Sequence, residues 1–348
     1  MRRGGAVGPM RWPVVAVVLL DLVVIAALGY VHRRDPNWLV FSRAALFTRF
    51  VEDPTSLAAG PVEMREAGFS SDSPAAIADW RRRLGTEADW VAPALSVEGS
   101  TASRVSAMVP MFSRNGGLTC GVFGGLADKF ARIGAENGYG CCSDHSEVML
   151  ALLAMAGIDG REVHHSSHTF VEFYALESNG WVWVDPQYAL MARDEEGRLL
   201  SLVELRDSRL SGRPVEFEFI GSDYHEFHDR SPLDQRFYDE PSDFADLTVT
   251  WGNDVFAQAR WNERLGPLPK SVRQGLGLLA GEVPGYVTID DGRSDFPGQL
   301  RSRQRLLWAA FVVLVAVHAG ALAVWLRSRR PDRSVGGPSD GGGDQNWK

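Results

Sequence analysis

Between Gly138 and Gln187 the chain carries a cysteine, a histidine and an aspartate in the order Cys142, His168, Asp185. A thiol, an imidazole and a carboxylate within reach of one another supply a nucleophile, a base that takes its proton, and a group that orients the base and stabilises its cation. The chemistry they would perform is attack of sulfur on an acyl carbon, through a thioester. Residue type alone does not make such a site, because a lone cysteine is most often a small buried hydrophobe. The surrounding elements have to present all three.

Those elements can be read from spacing. Val148, Leu152 and Met155, with Met149 and Leu153 beside them, recur at helical intervals as far as Gly157, which suits the C′ position. Asp144 followed three residues later by Glu147 reads as a capping box, so the helix begins close to Cys142. A thiol there feels the positive end of the helix dipole, which favours thiolate. In HTFVEFY, His168, Phe170, Glu172 and Tyr174 share one face of a strand, and Thr169, Val171 and Phe173 the other. In WVWVD, Trp181, Trp183 and Asp185 alternate with Val182 and Val184. A hairpin joins the two strands in one of two registers. A two-residue turn at Asn179-Gly180 sets Asp185 opposite Tyr174, whereas a looser loop near Leu176 and Glu177 sets it opposite His168. The looser loop is the expectation, since the tight turn leaves the carboxylate and the imidazole without partners.

Gly-x-Cys-x-Asp (Gly140, Cys142, Asp144), an aliphatic helix ending in AGI, then HTFVEFY and GWVWVDP resemble the transglutaminase-like superfamily of papain-like cysteine enzymes. The resemblance implies an α+β fold in which a nucleophile helix packs on an antiparallel sheet. It implies Cys142 as nucleophile, His168 as base and later acid, and Asp185 as the residue that orients the imidazole. The chain departs from the pattern in two places: Cys141 doubles the cysteine and is a rival nucleophile, and Phe170 stands where the family usually has tryptophan. The backbone N–H of Cys142 is one candidate oxyanion donor. The upstream tryptophan that supplies a second in some members has no counterpart between Trp90 and Trp181.

The 348 residues, with a net charge of −8, hold one sizeable core plus appendages and lack the basic face of a nucleic-acid binder. Lysine occurs three times and arginine supplies nearly all the positive charge, a composition suggestive of a high-GC bacterial genome. Pro13 to Val31 and Leu306 to Leu326 are apolar apart from Asp21 and His318, each long enough to cross a bilayer. A cleavable signal peptide is the alternative for the first run, with Ala26-Ala27-Leu28-Gly29 as its site, but the run is long for one and the expectation is an uncleaved anchor. The organisation expected is a basic segment 1–12, a transmembrane helix 13–32, a juxtamembrane helix and linker 33–75, a transglutaminase-like domain 76–250, a juxtamembrane segment 251–305, a transmembrane helix 306–326 and a disordered tail 327–348. The short basic amino terminus favours both ends in the cytoplasm and the large domain on the outer face of a two-pass cell-membrane protein. Asp21 and His318 fall at nearly equal depth in such a hairpin, and each is expensive alone in hydrocarbon, so they are expected to hydrogen-bond.

Ser70 to Pro74 marks a boundary, and Ala75 to Phe112 is helical in character with Ser100-Thr101 as a cap. The glycine-rich loop Ser113 to Gly125 holds Cys120, whose pairing with Cys141 ranks below three thiols. His164 and His165, with His145 and His168, make a histidine-rich neighbourhood, but no spacing matches zinc, and neither metal nor cofactor is expected. Leu199 to Leu205 and Val215 to Ile220 suit a helix and a strand; acidic, aromatic Asp223 to Asp246 suits a solvated loop; Val249 to Leu279 suits a helix at the membrane surface. The function implied is a membrane-tethered thiol enzyme that hydrolyses or transfers amide-linked acyl groups on protein or peptide substrates. The alternative is a non-catalytic module of the same fold that partners a membrane protein in envelope-polymer synthesis or export.

Overall fold

The computed structural model describes residues 12–34, 45–111, 125–134, 140–165, 168–220, 238, 240, 244–266, 268, 272–273, 276 and 285–328. Its principal helices are α1 (Trp12–Arg34), α2 (Pro74–Glu87), α3 (Thr101–Met108), α4 (Leu126–Ile133), α5 (Cys142–Met155), α6 (Leu202–Ser211), α7 (Val255–Arg264) and α8 (Phe296–Ser328). The strands are β1 (Thr48–Val51), β2 (Gly160–His164), β3 (Thr169–Ala175), β4 (Gly180–Asp185), β5 (Leu190–Arg193), β6 (Glu216–Phe219), β7 (Thr248–Trp251) and β8 (Tyr286–Ile289). They form one eight-stranded sheet in the order β1-β8-β7-β2-β3-β4-β5-β6. Every neighbouring pair is antiparallel except β1 and β8, which run parallel, so the α+β class holds with a mixed sheet.

The compact unit runs from Phe47 to Arg301. Two of its strands, β1 and β8, come from stretches read above as juxtamembrane, outside the 76–250 boundaries. Val249 to Trp251 is likewise strand, with Trp251 buried, and the helix begins only at Val255, against the expectation of a membrane-surface helix from Val249. Period-two Thr-Val-Thr-Trp was the signal that the helical reading passed over.

Strands β3 and β4 are buried on both faces, which explains their near-continuous apolar sequence. Val171, Phe173, Val182 and Val184 face a core that includes α5 and Trp80 and Leu84 of α2; Phe170, Trp183, Leu190 and Val163 face a second core closed by Leu202 and Leu205 of α6. Helix α5 is apolar on all sides because it is central: Val148 to Leu153 are all buried. It stops where the sequence says it should. Gly157 turns left-handed at φ 71°, with Gly157 N–H bonded to Ala154 O at 3.1 Å and Ile158 N–H to Leu153 O at 2.8 Å, a Schellman motif. Ser73 and Ser100 cap α2 and α3 through their hydroxyls.

Beyond the middle of β3 the same strand holds a buried ion pair. Glu172 accepts from Nε of Arg161 at 2.7 Å and from the Leu202 N–H at 2.6 Å, while Arg161 Nη1 donates to Leu57 O at 2.8 Å. The Arg161 guanidinium lies 4.0 Å over the Trp181 ring. One pair thus ties β2, β3, the segment at Leu57 and the start of α6 together. Glu172→Gln should cost about 3–5 kcal/mol by leaving a buried guanidinium without its counter-charge. The Arg161→Met, Glu172→Met double variant should cost less than the sum of the two singles; urea unfolding that gives simple additivity would show the pair is not coupled.

A second unit comprises Met1–Leu46 and Ser302–Lys348. Among the described helices α8 is the one long and apolar enough to cross a membrane, over Phe296–Arg327, while α1 holds a shorter apolar run, Val15–Val31. Among the described residues one helix, rather than the expected two, is a candidate membrane span by length and composition. Between α1 and α8, His318 Nε2 lies 3.2 Å from one carboxylate oxygen of Asp21 and 3.3 Å from the other. Replacing either residue with Leu should weaken helix association by about 1–2 kcal/mol, and replacing both should recover part of that loss; unfolding of the three variants in detergent tests the coupling.

Candidate active site

Cys142 is the first residue of α5 and is half-buried, so its thiol belongs to the first helical turn. The N-cap is Cys141, and the capping box lies three residues earlier than expected. The Cys141 N–H donates to Asp144 Oδ2 at 3.1 Å, and the Cys141 thiol donates to the same oxygen at 3.3 Å. Asp144 therefore occupies N3 rather than the N-cap position the sequence suggested, and Glu147 serves elsewhere. Lys129 of α4 bridges the two carboxylates, 3.0 Å from Asp144 Oδ1 and in close contact with Glu147 Oε2. Burial works against its charge, but Glu147 and Asp144 together outweigh that and hold its pKa above the usual lysine range. The two cysteines differ in position, Cys141 being the N-cap and Cys142 the first helical residue. Cys141 sulfur faces a carboxylate, a poor setting for an anionic nucleophile, and Cys142 does not share that cap.

His168 immediately precedes β3. The β3–β4 hairpin pairs Val171 with Val184 and Tyr174 with Trp181. Neither expected register is found. The loop is Leu176 to Asn179, closed by Asn179 N–H on Leu176 O at 3.3 Å with Asn179 in the left-handed region at φ 50°. Continuing that ladder puts Asp185 opposite Phe170, two places from the position expected opposite His168. A two-residue shift preserves the face, because the side-chain period is two, and makes His168 and Asp185 diagonal neighbours. The imidazole spans the diagonal: His168 Nε2 lies 2.8 Å from Asp185 Oδ2, with both side chains buried.

The Asp185 carboxylate is fully enclosed and receives donors on both oxygens. Oδ1 accepts from the N–H groups of Gln187 at 2.9 Å and Tyr188 at 3.1 Å, an Asx-turn built by the Asp-Pro sequence. Oδ2 accepts from His168 and, in a short contact, from the Tyr238 hydroxyl. Tyr188 stacks on the His168 ring at 5.3 Å and Phe170 meets it edge-on at 4.6 Å, so the imidazole is gripped on its face and its edge. With Nε2 donating to a carboxylate, the lone pair of the neutral ring is on Nδ1.

Helix α5 is tied to the same place. Ser146, one turn after Cys142 on the same helix face, bonds through Oγ to Thr169 O, the residue next to His168, at 3.3 Å. His145 lies within electrostatic range of both His168 and Asp185, and its Nδ1 is 3.0 Å from Cys141 O. A carbonyl can only accept, so His145 Nδ1 carries the hydrogen. Of the other histidines here, His164 pairs with Glu162 at 3.1 Å, and the backbone N–H of His165 bonds His168 O at 2.8 Å. Among the described residues no cluster of His, Cys, Asp and Glu could hold a metal ion. Cys141 and Cys142 are both thiols; Cys120, most of the glycine-rich loop and most of Asp223 to Asp246 lie outside the described residues. Tyr238 and Tyr188 were missed from sequence. The first sits in a stretch read as a solvated loop, and the second could have been suspected from the turn that Asp-Pro begins. Trp90, whose indole N–H donates to Phe130 O at 3.2 Å, is engaged under α4.

Comparison of the chain with protein-family models, with curated proteins and with solved structures finds no match in any of the three.

Burial pushes the pKa of His145 below the ordinary histidine value, partly offset by its bond to Cys141 and by nearby Asp185 and Asp144. Below about pH 6.5 the unfolded chain binds a proton that folded His145 refuses, so stability is full above that pH and falls as the pH drops. His145→Asn keeps an N–H donor for Cys141 O without titrating. Thermal midpoints measured from pH 7.5 to 5 should decline less steeply in this variant than in the parent.

Proposed function

We propose that the chain is a membrane-tethered, transglutaminase-like thiol enzyme that acts on amide bonds of proteins or peptides through Cys142, His168 and Asp185. The observation that supports it most is the enclosed His168–Asp185 pair, beside which α5 brings its first turn through the Ser146 bond. A structural histidine needs no buried carboxylate with donors on both oxygens; a base that must carry positive charge in mid-reaction does.

In this reading His168 Nδ1 takes the proton from Cys142 as sulfur attacks the amide carbon. The carbonyl electron pair moves onto oxygen, where the N–H of Cys142 at the helix start is one donor. Collapse breaks the C–N bond, and the departing nitrogen takes the proton held on Nδ1. A thioester remains. Water or a second amine, deprotonated by the same nitrogen, then attacks the thioester and releases the acyl group with Cys142 restored. Water makes the protein an amidase or peptidase, and an amine makes it a transamidase; the acylation half is common to both. Asp185 keeps the ring oriented and balances its charge throughout.

For location we favour two membrane passes, α1 and α8, with both ends in the cytoplasm and the unit Phe47–Arg301 on the outer face. The apolar character of both helices and the Asp21–His318 contact support the paired anchor. Substrates are then envelope proteins or peptides.

Iodoacetamide labelling of the full chain in detergent, together with ammonia release from glutamine peptides, tests the proposal. Labelling should fall on Cys142 with a thiolate plateau reaching well below pH 8, and His168→Ala should abolish that advantage. Cys142→Ser should end ammonia release, Cys141→Ser should retain it because serine caps a helix well, and His168→Ala should lower it about 10³-fold or more. Labelling of Cys142 as an ordinary exposed thiol, indifferent to His168→Ala, would sink the enzyme and leave a scaffold module.

A further inference from the structure

Asp185 shares one oxygen between two side chains, and the second of them belongs to no motif in the sequence. Tyr238 is buried, its hydroxyl on Asp185 Oδ2 beside His168 Nε2. Its ring packs edge-on against Phe217 at 5.1 Å and lies 6.5 Å from the His168 ring. Its backbone carbonyl accepts from Arg209 Nη2 of α6. Both ends of the residue are thereby fixed, and the phenol is held where it can reach the carboxylate.

Resting on the thiol-enzyme reading above, we propose that Tyr238 is a positioning residue that sets the proton affinity of His168 by competing with it for Asp185 Oδ2. Each hydrogen bond a carboxylate accepts stabilises its charge and leaves less for any other donor. With the phenol in place the imidazolium has a tempered counter-charge; without it, the full basicity of that oxygen falls on Nε2–H and the imidazolium is held more firmly. The ionisable groups about His168 are Asp185 from β4, Tyr188 from the turn after it, Tyr238, and His145 on α5, with Arg209 reaching Tyr238 from α6 and Cys142 at the start of α5. Of these, Tyr238 donates to the same carboxylate oxygen as His168. A thiol–imidazole pair is most reactive between the pH at which the ion pair forms and the pH at which the imidazolium loses its proton, so Tyr238 would set the upper edge of the working range.

The test is the pH profile of Cys142 alkylation in the detergent-solubilised full chain, with Tyr238→Phe beside the parent. The upper inflection should move up by about 0.5–1 pH unit, the size of one hydrogen bond read as a proton affinity. 3-Fluorotyrosine placed at position 238, a stronger donor that keeps the ring, should move it down. In an Asp185→Asn background Tyr238→Phe should add nothing, because the carboxylate charge that the two donors share is gone. Inflections that stay put in Tyr238→Phe, or that move as much in the Asp185→Asn background, would overturn the proposal. Titration of His168 itself, followed by NMR of Cε1-labelled histidine and assigned with His168→Ala, separates this inference from the functional one. A His168 shift in Tyr238→Phe with ordinary Cys142 reactivity removes the enzyme and keeps the tuning; a reactive Cys142 with an unmoved His168 does the reverse.

Discussion

A carboxylate with no exposure to water is the constraint on which this fold turns. Asp185 lies at the end of a central strand, and an isolated charge there would cost several kcal/mol. Its donors come from three directions: the turn that follows β4, the residue ahead of β3, and Tyr238 from far along the chain. Each direction imposes an order on the structure. The turn fixes where β5 begins, the histidine fixes how β3 and β4 slide past each other, and the tyrosine closes the second core over both. Were any of these displaced, the charge would be left without a donor, so local geometry and global fold are enforced by the same group.

The amino end of α5 shows how polar side chains set two adjacent cysteines in different surroundings. Asp144, Lys129 and Glu147 form a chain of charges on one side of the helix start, and Cys141 is drawn into it as the cap. Cys142, one residue on, is the first residue of the helix proper. Lys129 is one of only three lysines in the chain, and its largely buried side chain is placed between two carboxylates. At the far end of β3 the Arg161–Glu172 pair does comparable work, binding to the sheet the segments that close its second core. The His168–Asp185 pair and the start of α5 thus lie among these electrostatic anchors, with aromatic rings packed around the imidazole.

Much of this was legible in the sequence, and the reasons are specific. Helix α5, its end at Gly157, and strands β3 and β4 are local features written in apolar period, capping residues and alternation, so they were read correctly. The His168–Asp185 contact was expected too, although through the wrong register. A four-residue loop closed by left-handed Asn179 is intermediate between the two turns considered, and only the parity of the strand kept both side chains on one face. The capping box was misplaced because two acidic residues three apart fit the pattern equally well from either side. What the sequence withheld is long-range: β1 and β8 are four-residue strands that acquire their character from pairing with distant partners, and Tyr238 acquires its role from a carboxylate more than fifty positions earlier. No period or spacing marks such contacts.

The paired helices α1 and α8 hold one more consequence, in their hydrogen count. His318 Nδ1 lies 2.8 Å from Leu314 O, an atom with no hydrogen to give, so that nitrogen must be the donor. The opposite nitrogen meets Asp21. A ring that has already committed its one hydrogen would present a lone pair to a carboxylate's lone pairs, and the two would repel. Contact between them therefore needs a hydrogen between Nε2 and the carboxylate as well as the one on Nδ1, so two hydrogens rather than one are shared among the ring, Leu314 O and Asp21 where the helices meet.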